Sequence, residues 1–480
     1  MNSRWGAAAL VAVSLIGGAL LPAAPAAAVH GAVPGDFNGD GYRDAVLPAP
    51  GANVSGKEAA GAVVVLYGAS SGLSAARRKT ITQNTAGVPG AAEAYDRFGA
   101  ATATADLNRD GYADLVVSSP YEDTTQGKDA GTVTVLWGGK SGLTQGTGLP
   151  APVEPNMPAL YYGLDLAAVS AGPGARTEVL VGGWHGASRF SGPFSRTGTY
   201  GASAVPASDS WGESVTLGDF DGDGSQEHVN VTYRQSGDSG GWIFVNPEDY
   251  ASSEYLPPHL EKGNGLIAAS GDVNGDGYSD LVVGDPDEPE VAGADGASGG
   301  RVLVWYGSAS GIASDAKPVQ ITQNTSGVPG ASEKEDAFGG SLAVADLNRD
   351  GLADIVIGSP YEDLAKPRAG QVTVVPGRRT GALGTGAYSF SQDTAGVPGA
   401  SETDDFFGTT VSAGDINKDG RPELFVGAAS ENNSTGAVWV FPGGSSRPTA
   451  TGSRMFTASS VGLTQDNGTL LGGNGLLWVI

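Results

Sequence analysis

The residues with the clearest chemical potential are acidic and amide side chains set two positions apart around a glycine. Asp36, Asn38, Asp40, Gly41, Tyr42 and Asp44 give the pattern D-x-[DN]-x-D-G-x-x-[DE], and it recurs five more times. The further copies are Asp106, Asn108, Asp110, Tyr112, Asp114; Asp219, Asp221, Asp223, Ser225, Glu227; and Asp272, Asn274, Asp276, Tyr278, Asp280. The last two are Asp346, Asn348, Asp350, Leu352, Asp354 and Asp415, Asn417, Asp419, Arg421, Glu423. Oxygens at positions 1, 3 and 5 can wrap a hard cation, the backbone carbonyl at position 7 adds another, and glycine at position 6 permits the sharp turn. The closing carboxylate stands at position 9 and apolar residues follow it, which excludes an EF-hand, where a glutamate closes the loop at position 12. An all-oxygen ligand set without His or Cys points to Ca²⁺ rather than zinc or copper, and the cage size favours it over Mg²⁺. Up to six Ca²⁺ ions are expected. The alternative is six Asx turns that need no metal.

These loops must be held by strands. Apolar runs such as Leu115–Val117 and Ile355–Ile357 follow the acidic loops, and alternating runs such as Gly131–Trp137 and Gly370–Val375 come next. Short alternating runs bounded by Gly and Pro are strand signals, and no sustained helical period occurs. Longer repeats frame the loops. Ile81-Thr-Gln-Asn-Thr-Ala-Gly-Val-Pro-Gly90 returns at Ile321–Gly330 and in part at Ser391–Gly399, each copy leading to a Phe-Gly pair at 98–99, 338–339 or 407–408. A degenerate seventh unit has Tyr162-Gly163 in the Phe-Gly position and Ser170–Glu178 in the loop position, where the first three ligands are lost, so it should bind no metal. Units recurring at intervals of roughly 50–75 residues are stacked or radially arranged, not independent domains. Seven units of three to four strands predict an all-β fold, a seven-bladed β-propeller with one blade degenerate. Its loops lie near 36–44, 106–114, 170–178, 219–227, 272–280, 346–354 and 415–423. The third unit offers only a weak strand near Thr199 and is expected to lack its outer strand. The first unit has no Phe-Gly lead, and Met455–Ile480 is expected to complete the ring beside it.

Composition restricts the setting. Arg4 is followed by an apolar run, prolines and Ala26-Ala27-Ala28, so residues 1–28 read as a secretory signal peptide and 29–480 as the propeller. No later stretch is long and apolar enough for a transmembrane helix. The chain has no cysteine, so an exported product must be stabilised by its core or by metal rather than by disulfides. A net charge of −25 argues against nucleic acid as a partner, and the calcium loops account for about a third of the 52 acidic residues.

The Phe-Gly lead, the D-x-N-x-D-G-x-x-D loop and the Val-Gly-x-Pro or Ser-Pro turn behind it resemble FG-GAP repeats. Such repeats form the seven-bladed N-terminal propeller of integrin α subunits and occur in exported bacterial proteins. The resemblance covers nearly all of residues 29–480. It implies calcium loops in the hairpin between the first two strands of a blade, on the lower face, and ligand contacts from loops on the upper face. Integrin α subunits carry fewer such loops, further domains and a membrane span, so their function does not transfer.

The upper-face loops hold Tyr121, Trp184, His185, Asp285–Glu290 and Tyr361. Aromatic rings beside acids suit sugar stacking and hydroxyl hydrogen bonding, with Trp184 and His185 singled out because they do not recur. Tyrosines that repeat per blade also suit a role within the blade. The four histidines stand in no zinc or triad spacing, and Gly138-Gly-Lys-Ser-Gly142 is a repeated turn rather than a phosphate loop. The expected function is a secreted, monomeric binding or adhesion module for an extracellular glycan or protein, with no catalytic residues. A carbohydrate-active or ester-cleaving hydrolase or lyase is the alternative, and would need a cleft with paired carboxylates outside the calcium loops.

Overall fold

The computed structural model describes residues 33–151, 160–170, 176–184, 186–204, 212–235, 237–246, 259–291 and 293–475. The proposed signal peptide, His185 and residues 171–175 of the degenerate loop lie outside them. The described chain is nearly all β, folded as seven antiparallel sheets whose strands follow one another in sequence order.

Blade 1 consists of Val33–Gly35, Asp44–Ala49, Ala62–Leu66 and Arg78–Ile81. Blade 2 starts at Thr102, blade 3 at Leu166, blade 4 at Ser214, blade 5 at Ile267, blade 6 at Ser341 and blade 7 at Phe407. The first strands touch in order around the ring, and that of blade 7 touches that of blade 1. Second strands such as Asp114–Ser119 and Asp354–Ser359 are buried along their whole length in every blade but the fourth, where Glu227 is half-buried, because each lies between two neighbouring sheets. This explains why they read as continuous apolar runs instead of alternating ones. Seven apolar clusters fill the seven spaces between adjacent blades, so the core is a ring of interfaces.

The Phe-Gly pairs are the joints of that ring. Phe98 is buried between blades 1 and 2, its N–H donates to the carbonyl of Ala60, and the Gly99 N–H donates to Ser118. Gly99 has φ +92°, which lets the backbone turn against blade 1 where a side chain would meet the Ala62 carbonyl. Tyr162-Gly163 repeats the bonds, to Ala130 and Gly182. Blade 1 obtains its missing lead from the far end of the chain. The Leu471 N–H donates to Thr435 of blade 7 and the Gly472 N–H donates to Pro48 of blade 1, while the Leu471 side chain is buried in the cluster between them. Pro48 and Ser118 hold the same place in their strands.

One expectation is corrected. The third unit has four strands, the outermost being Ala202–Ala204 paired with Arg189–Ser191. That strand is three small, exposed residues without a branched or aromatic side chain, so it leaves little pattern in sequence. Among the described residues the three-stranded sheet is blade 4, Ser214–Gly218, Glu227–Val231 and Ile243–Val245.

Candidate metal centres and the opposite face

Each acidic loop is the hairpin between the first and second strand of its blade, so all six lie at one end of the propeller. In blade 1 the Asp36 carboxylate accepts the N–H of Gly39 at 2.7 Å and of Gly41 at 2.9 Å, Asn38 accepts Asp40, and Asp40 accepts Tyr42. The same glycine-to-aspartate bond closes the other five, from 2.8 Å at Gly420–Asp415 to 3.1 Å at Gly224–Asp219. The glycines sit at φ +78° to +94°, the left-handed region where a side chain is strained. These bonds tie the side chains of positions 1, 3 and 5 to the backbone of the loop.

The ninth position is the carboxylate that begins the second strand of each of the six blades. Asp44 is fully buried and accepts Phe37 N–H at 3.1 Å and Gly68 N–H at 2.9 Å. Burial pushes Asp44, Asp114, Asp280, Asp354, Glu227 and Glu423 up to about 7, and in each loop neighbouring carboxylates push the same way. No lysine or arginine among the described residues forms an ion pair with any of these six. In blade 4 the orphaned atom is explicit: Asp219 Oδ1 is buried without a hydrogen-bond partner, and oxygens of Asp219, Asp221 and Glu227 lie within 4.8 Å of one another. Asx turns alone would explain the loop shape. They do not explain a buried, unpartnered carboxylate oxygen beside two more half-buried carboxylates without a countercharge, which a divalent cation would supply. The residues therefore fit a hard cation.

Blade 3 provides the contrast. Its loop lacks the carboxylate-amide set, and Glu178, buried in the corresponding strand, accepts from Arg189 at 2.7 Å. In the neighbouring loop of blade 2, Arg196 reaches Asp110 at 2.6 Å.

A family model described as FG-GAP repeat matches residues 28–66, 98–136, 264–305, 338–375 and 407–441. The chain carries five FG-GAP repeats. Each match spans one hairpin loop and the strands that carry it, and the second match begins at Phe98. The FG-GAP chain is 28 % identical to human "Integrin alpha-6" over 200 residues, 40 % of this chain and 15 % of that protein. It is 31 % identical to mouse "Phosphatidylinositol-glycan-specific phospholipase D" over 163 residues, 34 % of this chain and 18 % of that protein. This chain thus spans under a fifth of either relative. A solved Bacillus licheniformis rhamnogalacturonan lyase aligns over 93 % of this chain at 13 % identity with a TM-score of 0.38.

On the opposite face, the loops between second and third strands assemble two distinct surfaces. Tyr121 and Trp184 come together through Tyr161, whose ring lies 5.4 Å from the first and 5.8 Å from the second. Arg97 covers Tyr121 at 5.6 Å. Tyr161 escaped the sequence reading although it directly precedes Tyr162-Gly163, the place where Phe406 precedes Phe407-Gly408. Tyr361 is elsewhere on the ring, packed edge-on against Phe406 at 5.1 Å. It lines a cleft of about 800 Å³ between blades 5 and 6, together with Asp287, Glu288, Glu335, Asp336 and Arg368. Arg301, itself buried, bonds Asp285 at 2.8 Å and Asp295 at 2.6 Å within blade 5. No helix among the described residues is long and apolar enough to cross a membrane.

Proposed function

We propose that this FG-GAP propeller is an exported, calcium-stabilised binding module that takes an extracellular glycan on the face opposite its metal loops. The observation that carries this reading is the shelf of Tyr121, Tyr161 and Trp184. Three half-buried rings in one row offer apolar faces to sugar rings, and the Arg97 guanidinium beside them supplies hydrogen-bond donors. The six loops hold one Ca²⁺ each through positions 1, 3, 5 and 9 and the position-7 carbonyl, which stiffens the hairpins on which the blades turn. A protein ligand would use the same face, as an adhesion module does. Residues 1–28 direct export, and the module acts as a monomer.

A second reading has an observation of its own. The cleft beside Tyr361 holds carboxylates that belong to no calcium loop, among them Asp287, Glu288, Glu335 and Asp336, with burial raising Asp336 to about 6. A carboxyl raised above its usual range beside other carboxylates is what sugar-cleaving chemistry uses. Screening the protein against glycans and cell-wall polymers, with calcium and with EGTA, while assaying released product, separates the two. Retention without product, reduced at least tenfold by Trp184→Ala, supports the binding module. Product formation that survives Trp184→Ala and is lost with Asp336→Asn assigns the cleft as an active site. Retention that ignores Trp184→Ala removes the shelf as the ligand site.

A further inference from the structure

Around the metal-loop face, position 4 of one loop leans on position 7 of the next. Gly39 lies against Tyr112, Gly222 against Tyr278 and Gly275 against Leu352, so closely that a Cβ on the glycine would stand 2.3 to 2.8 Å from the neighbouring side chain. Between blades 2 and 3 the same two positions meet differently. Position 4 of the blade 2 loop is Arg109, and position 7 of the degenerate blade 3 loop is Arg176. No ring or aliphatic group fills the space there. A cavity of about 520 Å³ opens instead, with both arginines in its wall. Asn108 and Ser191 add polar groups to it, and Leu107 and Pro193 add apolar surface. Behind them the wall is bare backbone, where a Cβ on Gly201 would lie 2.2 Å from the Gly192 carbonyl oxygen.

The charge of this cavity is opposite to that of the chain. The protein carries −25 and sets six acidic loops on this face, yet no carboxylate among the described residues lines the cavity. Arg109 and Arg176 are exposed, and neither enters an ion pair among the described residues. The other two arginines of blade 3 are neutralised, Arg189 by Glu178 and Arg196 by Asp110. Two guanidinium groups repel each other, and each has five donors and no acceptor, so neither satisfies the other. An oxyanion balances both charges and accepts from both forks. We infer that this cavity takes the anionic group of an extracellular glycan, a sulfate or a uronate carboxylate, with the sugar ring against Leu107 and Pro193. Its volume falls within the range of small-ligand sites.

The assignment gives the degenerate blade a use. Its loop has lost the first three ligands of a cation and carries arginine at position 7, so the break in the acidic ring faces a ligand of opposite charge. Arg349 and Arg421 hold the two corresponding positions between blades 6 and 7, but there Arg349 is laid against Gly420, the glycine bonded to the Asp415 carboxylate. That pair has acids of an intact loop at hand. The cavity lies at the metal-loop end of the propeller and Tyr121 and Trp184 at the other, so it stands whether or not the aromatic shelf holds a sugar.

The test is calorimetry on the full chain in millimolar calcium with three probes of equal length: a sulfated, a uronate and a neutral tetrasaccharide. At least one acidic probe should bind one-to-one, and which of them binds identifies the anion. Arg176→Gln and Arg109→Gln should each weaken that binding at least tenfold, the scale of a hydrogen bond to a charged group. Arg349→Gln, at the equivalent of Arg109 in the blade 6 loop, should leave it unchanged, and thermal melting checks that all three variants are folded. Failure of both acidic probes to bind the parent would overturn the proposal. So would an affinity that ignores Arg176→Gln, or one weakened equally by Arg349→Gln, which is general attraction to the face. Equal binding of the neutral probe would place the contact on the aromatic shelf and overturn it too.

Discussion

Glu178 and Arg189 stand 2.7 Å apart in blade 3, in the one unit whose hairpin lacks the carboxylate-amide set. The guanidinium does for Glu178 what a cation would do for Asp114 or Asp280. Arg189→Met should leave a carboxylate buried without its partner and cost on the order of 3 kcal/mol, the scale of breaking a buried pair from one side. Calcium stoichiometry should not change. Urea unfolding and a calcium titration on the same variant check both halves, and an unchanged midpoint would mean that the Arg189–Glu178 pair adds no net stability.

The architecture was legible because it is written seven times. Asp36, Asp106 and their four counterparts marked the hairpins, and Phe98, Phe338 and Phe407 marked the joints, each by type and spacing. What was lost has physical causes. Ala202–Ala204 pairs through its backbone with exposed small side chains, so neither periodicity nor propensity betrays it. Leu471-Gly472 performs the work of a Phe-Gly pair with an aliphatic residue some 435 residues from the loop it serves. Aromatic shelves are tertiary objects. Tyr121 and Trp184 looked like separate candidates because Tyr161, the ring that joins them, belongs to the lead-in of the next blade.

Calcium and protons should compete at the hairpins. Without metal, Asp44, Asp114, Asp280, Asp354, Glu227 and Glu423 bind protons up to about pH 7, well above their unfolded range, so metal-free stability should decline as pH rises toward 7 and then level. Calcium requires the ionised form and displaces those protons. The melting-temperature difference between calcium and EGTA should therefore be small near pH 5 and largest near pH 8. At millimolar calcium, a site with a dissociation constant of ~0.1 mM adds about 1.4 kcal/mol. A calcium effect that stays constant across that range would remove the metal assignment from the buried ninth position.

Gly39 should resist substitution for a reason outside its own loop. A Cβ there would lie 2.5 Å from Tyr112 Cε1 of the next blade, and its φ of +72° is unfavourable for a side chain. Gly39→Ala should cost roughly 1–3 kcal/mol from these two sources together. Adding Tyr112→Ala removes only the clash, so the double variant should be more stable than the sum of the two single costs predicts. Additivity in urea unfolding would place the whole effect in the backbone.

Leu471 closes the ring, and its removal should open the ring at one place. The side chain is fully buried among Leu47, Val64 and Val438, between blades 7 and 1, where other junctions hold Phe98 or Phe338. Leu471→Ala should cost about 2–5 kcal/mol, as cavities in apolar cores do. The location of the loss is more telling than its size. Every other junction is made by chain that runs continuously from one blade to the next, whereas this one joins the two ends of the propeller. Hydrogen exchange should therefore accelerate first in Val33–Ala49 and Ala437–Phe441, with blades 4 and 5 unaffected at low denaturant. Uniform acceleration around all seven blades would mean that the ring unfolds as a single cooperative unit and that its closure is no weaker than its other joints.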